Sequence, residues 1–283
     1  MVEDDPMRCW QDTSWFRLGA AALAAFCCLL GGCALPIQPG FPVSESGAQQ
    51  ARRAMERDPR PLDRPLLVLG GYKAPYHFQV RVISSRLTTM TSGERADALG
   101  VEFIFDGSIE SAADRVVRDL EQRWPSDDPD RTIEVDVVGI SMGGLVARQA
   151  WASGERRDGS PRKRLRIARL FTIGTPHQGA VLADTIAPDT QARQMRAGSA
   201  FLTALDAADT DRDYELICYA RTNDEIVGAT RCAPEGVTPY WVHGPWLFSH
   251  LTIARDWRIN ADIARRLRNE PPLALEASQP PRD

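Results

Sequence analysis

Histidine and cysteine are scarce in this sequence. It has four histidines and six cysteines in 283 residues. No C-x-x-C pair or His/Cys cluster stands at metal-ligand spacing, so neither a metal nor a cofactor is expected. There is no excess of positive charge. Lys and Arg number 34 against 38 Asp and Glu, a formal net charge of -4, which removes the electrostatic case for nucleic acid. The basic run at 156–166 reads as a solvated loop between a helix and a strand. No internal repeat is visible, which excludes a solenoid. No apolar run is long enough to span a bilayer comfortably; the one at residues 18–30 stops well short of the roughly 20 residues required.

That short run suits the core of a secretory signal. It leads into Leu30-Gly31-Gly32-Cys33, which resembles a bacterial lipobox. The resemblance implies cleavage before Cys33, lipidation of its thiol, and a protein anchored in the bacterial cell envelope. Glu3, Asp4 and Asp5 make an acidic start where a signal wants a basic one, so translation is expected from Met7, with Arg8 and Arg17 following. Ala34 after the cysteine favours the outer membrane, facing the periplasm. Residues 1–32 are thus read as signal peptide. Residues 33–65, rich in proline and polar side chains, are read as a flexible tether with one short helix near 46–56. Roughly 250 residues remain beyond the signal, enough for one domain, expected to be a monomer.

The targeting segment accounts for Cys9, Cys27, Cys28 and Cys33. Cys218 and Cys232 are left in the body. In an oxidising compartment they are expected to form a disulfide, closing a loop around Asp224 and contributing about 3 kcal/mol. The alternative is two unrelated buried thiols.

The body alternates strands and helices. Strands are expected at 64–72, 101–105, 133–140, 167–173, 214–220 and 240–243, several of them continuous apolar runs that imply burial on both faces. Helices are expected at 76–87, 111–124 (capped by Ser111 and stopped by Pro125), after residue 141, and at 251–267. Residues 178–213 read as a helical insert that could form a cap, and 269–283 as a loose tail. This pattern predicts an α/β architecture, a mostly parallel sheet of about six strands wrapped by helices, with the domain running from 66 to 268.

The centre of the pattern is Gly139-Ile140-Ser141-Met142-Gly143. A G-x-S-x-G spacing arises by chance about 0.1 times in a chain of this size. Here it follows Val135, Val137 and Val138 and precedes a helix-compatible run, the setting of a nucleophile elbow. A serine needs a base, and the base needs a carboxylate. In elbow enzymes these follow the serine in the order acid, then histidine. Of His77, His177, His243 and His250, only the last two come late enough. His250, on a loop before the final helix, is preferred to His243, which reads as a structural residue in or at the end of a strand. Asp224, just beyond the fifth strand, is the acid; its neighbour Glu225 is expected to point elsewhere. The oxyanion donors are expected to be the N–H of Met142 and, from the Gly70-Gly71 loop, the N–H of Tyr72.

These residues resemble the lipase and esterase branch of the α/β-hydrolase superfamily. The resemblance rests on 67–72, 138–148, Thr172-Ile-Gly-Thr-Pro-His-Gln-Gly179, and Asp224 with His250. It implies an α/β-hydrolase fold and cleavage of a carboxylic ester, with an ester or lipid as substrate. Alternatives are an acyltransferase or phospholipase working on envelope lipids, and a non-catalytic binding lipoprotein. Gly70 and Ile140 stand where many relatives carry histidine, and the two leading strands of larger members are expected to be missing. His177 is implied to brace the loop rather than act as base.

Overall fold

The computed structural model describes residues 41–73, 78–91, 97–275 and 281, all within one compact unit, Ile37–Asp283. The signal peptide and Cys33 lie outside the described residues. Six strands form one sheet: β1 (Leu66–Leu69), β2 (Ala98–Val101), β3 (Arg131–Ile140), β4 (Arg164–Ile173), β5 (Glu215–Arg221) and β6 (Tyr240–Val242). Every pairing is parallel, in the order β2-β1-β3-β4-β5-β6. The α-helices are α1 (Glu45–Arg57), α2 (Phe78–Met90), α3 (Ile109–Arg123), α4 (Met142–Ala152), α5 (Val181–Thr185), α6 (Thr190–Gln194), α7 (Ala200–Ala208), α8 (Ser249–Thr252) and α9 (Trp257–Leu267).

Alternation along the strands feeds two cores. Leu67, Leu69, Val135 and Val137 join the core containing α3, α4 and α7 residues, whereas Leu66, Val68, Val138 and Ile140 join the one containing α1, α2 and α9 residues. Successive strand side chains point to opposite faces, so a sheet covered on both sides needs unbroken apolar runs. All four residues of β1 are buried.

Several boundaries differ from the sequence reading. The second strand is Ala98–Val101 rather than 101–105. Its partner β1 ends at Leu69, paired with Val101, and turns away at Gly70, so the residues beyond have no strand to pair with. Phe105 is left 93% exposed. Helix α3 is capped by Ser108, not Ser111. Ser108 accepts from the Ser111 N–H, and the Ser111 hydroxyl receives the Ser108 N–H, a reciprocal box.

The supposed tether enters the fold from Phe41 onward. Phe41 is buried against Tyr219, and α1, capped by Ser44, buries Ala48 and Met55. Burying Phe41 and Met55 contributes about 2 kcal/mol each. The tail is held as well: Asp262 accepts the N–H groups of Leu273 and Ala274, and Ala274 is buried. Arg268, after α9, donates to the carbonyls of Asp58 and Met90 and so ties the ends of α1 and α2 to α9.

The sheet order positions the site. From β1 the chain moves outward to β2, then returns across β1 to β3. The connections after β1 and β3 therefore leave in opposite directions, and a crevice opens at their carboxyl ends. Such switch points are where open parallel sheets bind ligands.

Candidate active site

Ser141 stands at this switch point, between β3 and α4. Its backbone is at φ 52°, ψ -124°, a left-handed conformation that costs a non-glycine residue about 1–3 kcal/mol and persists only where the surroundings impose it. Two glycines allow the turn. A methyl on Gly139 would lie 2.5 Å from Gly144 Cα, and one on Gly143 would lie 2.5 Å from the Leu69 carbonyl oxygen. Helix α4 thus packs directly on the ends of β1 and β3. The Ser141 N–H donates to Ile173 O at 2.9 Å and its carbonyl accepts from Thr175 Oγ1 at 2.8 Å. The turn is pinned from the loop after β4.

His250 Nε2 lies 3.1 Å from Ser141 Oγ, and His250 Nδ1 lies 2.8 Å from Asp224 Oδ2. The other carboxylate oxygen of Asp224 accepts from Val227 N at 2.8 Å and Ile226 N at 3.1 Å. Both Asp224 and His250 are buried. Because Asp224 can only accept, Nδ1 carries the proton and Nε2 is free to accept from the serine. The three side chains form one chain of hydrogen bonds with the polarity that nucleophile activation requires.

His250 sits differently from its expected place. It is not on a loop but in the single turn α8, followed by a 3-10 turn at Ile253–Arg255 and then α9, which Asp256 caps. Phe248, before α8, is at φ 58°. The Ser249 hydroxyl donates to Thr222 O at 2.9 Å. Glu225, expected to point away, accepts the backbone N–H of His250 at 3.3 Å. Gly174, at φ 58°, makes room: a methyl there would lie 3.4 Å from His250 Cε1. Thr175, Glu225 and Gly174 went unassigned as supports of this site. Their signal was position alone, since each follows the carboxyl end of β4 or β5.

The parallel register carries the first loop to Ser141. Leu69 pairs with Gly139, so two residues further on Gly71 meets Ser141. A methyl on Gly71 would lie 3.2 Å from Ser141 Cβ. Tyr72 is next in the loop, its hydroxyl donating to Asp189 at 2.8 Å. Lys73 Nζ pairs with the same carboxylate at 2.5 Å. Met142 is the first residue of α4, where N–H groups have no intrahelical acceptor.

Of the remaining histidines, His77 lies outside the described residues, and His243 and His177 bond to other partners. His243 Nδ1 is 3.2 Å from Thr222 Oγ1 and its ring meets Trp241 edge-on. His177 is wholly buried. Arg148 Nη1 donates to His177 Nδ1 at 3.1 Å, and Nε2 reaches Thr172 Oγ1 at 3.1 Å. Burial, and then the charges of Arg148 and Arg212, hold the His177 pKa well below the usual imidazole value. Arg148 is itself fully buried and pairs with Asp206 at 2.8 Å and Asp209 at 3.3 Å.

The expected Cys218–Cys232 bridge is absent. Neither cysteine is in a disulfide, and both are buried. Cys218, on β5, turns its sulfur toward His177 Nε2 at 3.8 Å, and burial pushes its pKa up to about 11. Cys232 ends a 3-10 turn and donates back to Gly228 O at 3.3 Å. The two side chains are directed to different partners. The loop around Asp224 is held instead by the Asp224 side chain and by the bond from Gly228 N to Asp224 O. Among the described residues no group of three His, Cys, Asp or Glu could hold a metal ion, and no helix is long and apolar enough to cross a membrane.

The all-parallel sheet, its switch point and the helices on both faces define an α/β-hydrolase fold. No protein-family model matches the chain, and no curated protein matches its sequence. Among solved structures it is similar to Aspergillus fumigatus lipase B, with 16% identity and a TM-score of 0.50 over 86% of this chain and 62% of that one. It is also similar to Bacillus licheniformis lipase BlEst2 in mature form (15% identity, TM-score 0.49, 77% of this chain and 94% of that one). A third similarity is to phospholipase PlaB from Legionella pneumophila (13%, TM-score 0.46, 60% and 44%). The chain thus spans less than half the length of that phospholipase. At such identities the likeness concerns the fold.

Proposed function

We propose that the protein is a serine hydrolase that cleaves carboxylic esters through an acyl-enzyme on Ser141. The observation that carries this reading is His250 bridging Ser141 Oγ, at 3.1 Å, and Asp224, at 2.8 Å. Ser141 Oγ attacks the acyl carbon while His250 Nε2 takes its proton. The carbonyl oxygen becomes an oxyanion, met by the N–H groups of Met142 and Tyr72. Asp224 stabilises the imidazolium. The tetrahedral intermediate then expels the alcohol, which takes the proton from His250. Water, deprotonated by the same nitrogen, attacks the acyl-enzyme and releases the acid and the free serine.

An apolar ester suits the surroundings. Phe105, Ile186, Trp246, Leu247, Phe248 and Leu251 are large, apolar and exposed. They lie in the segments that leave the carboxyl ends of β2, β4 and β6, the edge of the sheet at which Ser141 sits. Exposed apolar residues on the segments that follow the strands' carboxyl ends offer contacts to an apolar ligand. An envelope location, by lipid attachment at Cys33, is part of the same proposal and rests on the sequence before residue 41. Cys33→Ser should abolish incorporation of labelled palmitate and release the protein from the membrane fraction.

The direct test is Ser141→Ala. It should reduce p-nitrophenyl ester turnover by at least 10⁴-fold and remove fluorophosphonate labelling, with an unchanged melting profile. Retained labelling would place the nucleophile elsewhere.

A further inference from the structure

Beside the nucleophile stands a side chain that the mechanism does not use. Gln79 is the second residue of α2. Its Oε1 is buried and no described group donates to it. It lies 3.4 Å from the place a methyl on Gly71 would occupy, and that same place is 3.2 Å from Ser141 Cβ. The carboxamide oxygen and the nucleophile's side chain are therefore separated by about the width of one methyl group.

A buried acceptor without a donor is costly, because it has lost its water and gained nothing in return. Native folds keep few such atoms, and one kept beside a reactive side chain is a place where a bound molecule can complete the bonding. An oxygen can only accept, so the missing partner must be a donor. The serine hydroxyl does not supply it, since that proton is directed to His250. The scissile carbonyl does not either, having no N–H or O–H. A donor on the substrate, on the carbons that flank the scissile ester, would meet this oxygen beside the carbonyl that Ser141 attacks.

We infer that Gln79 is a specificity-determining residue whose carboxamide oxygen accepts a hydrogen bond from a hydroxyl next to the scissile ester. The favoured substrates are then partial esters of polyols, in which an unesterified hydroxyl neighbours the cleaved bond, over esters of simple alcohols. This rests on the ester-hydrolase reading of the same site and adds to it the polar half of the substrate. A site built to bond a hydroxyl discriminates strongly against the analogue that lacks it, because the analogue leaves the buried acceptor unpaired. Gly71 serves the arrangement by leaving open the space between the carboxamide and Ser141.

The test compares two esters of one fatty acid, the 1-monoacylglycerol and the propyl ester, which differ by the two free hydroxyls. Each protein serves as its own control through the ratio of kcat/KM for the pair. The wild type should favour the monoacylglycerol by about tenfold or more. Gln79→Met, close in shape but without the amide, should bring the ratio to about one. Gln79→Glu retains an acceptor at the same place and should retain the preference even as both rates fall. Melting curves establish that each variant is folded. An unchanged ratio in Gln79→Met overturns the inference. So does a loss of preference in Gln79→Glu equal to that in Gln79→Met, which would make the NH2 group, not the oxygen, the functional end. A wild type that cleaves both esters equally overturns the role of Gln79 alone, whereas one that cleaves neither overturns the ester-hydrolase reading with it.

Discussion

Replacing Asp224 with asparagine exchanges one oxygen for an NH2 group and barely changes shape. The structure dictates which oxygen is lost. Oδ1 accepts two backbone N–H groups, from Ile226 and Val227, at 3.1 and 2.8 Å. An NH2 cannot take that place without setting donors against donors, at a cost of roughly 1–3 kcal/mol for each unmade bond. The asparagine oxygen must therefore stay on Ile226 and Val227, and the NH2 must face His250 Nδ1, 2.8 Å away in the wild type. Nδ1 is then forced to accept, the ring proton moves to Nε2, and the nitrogen beside Ser141 Oγ can no longer take a proton. The imidazolium also loses its counter-charge. Asp224→Asn should lower kcat by about 10³–10⁴-fold, or roughly 4–5.5 kcal/mol of barrier. KM and the melting temperature should change little. The measurement is ester turnover normalised by fluorophosphonate titration of Ser141, with a thermal melt alongside. A loss below tenfold in a folded variant would refute the assignment of Asp224 as the residue that sets the tautomer.

Three other outcomes are expected. Gly143→Ala drives a methyl to 2.5 Å from Leu69 O and 2.7 Å from Gly70 O. Both are backbone atoms, so it should cost about 3 kcal/mol in denaturant unfolding and displace the Gly71 loop, lowering kcat more than tenfold. His177 is held neutral by burial and by Arg148, so its folded pKa lies below its unfolded one. Its contribution to stability is full above about pH 6.5 and is lost as pH falls through the folded value, by up to about 1.4 kcal/mol per pH unit. His177→Gln should flatten that part of the stability profile between pH 7 and 5. With Cys218 and Cys232 unbridged, the folded domain should be insensitive to reductant. Dithiothreitol should leave the melting temperature of a chain starting near residue 37 unchanged, and Cys218 and Cys232 should react with a thiol reagent only on unfolding, since both are buried.

What was legible in the sequence is what short-range physics dictates. The run 66–69 is a strand buried on both faces because no polar residue interrupts it, and 135–140 is interrupted by Asp136, which is buried and paired with Arg169. The glycines at 139 and 143 announce a turn that only small residues permit. What was not legible depended on partners distant in the chain. Residues 41–57 carry the composition of a tether, and only the surface offered by α2 and α9 makes them part of the core. The last residues are polar and proline-rich, yet a buried carboxylate, Asp262, captures two of their N–H groups. Glu225 gave no sign of bracing His250, because its role depends on a turn 25 residues away. The spacing of Cys218 and Cys232 says nothing about the direction of their side chains, and direction decides whether a bond can form.

By itself, then, the sequence determined the alternation of elements, the parallel sheet and the strained turn at Ser141, since each follows from residue size, hydrophobicity and local backbone freedom. Tertiary structure alone decided which groups meet at that turn. Stacking β3 between β1 and β4 brings Gly71, Thr175 and Gly174 to the side of Ser141, and the loops after β5 and β6 bring Asp224 and His250 to within hydrogen-bonding distance of each other. Those distances are set by register and crossover, and they belong to no segment of the chain taken separately.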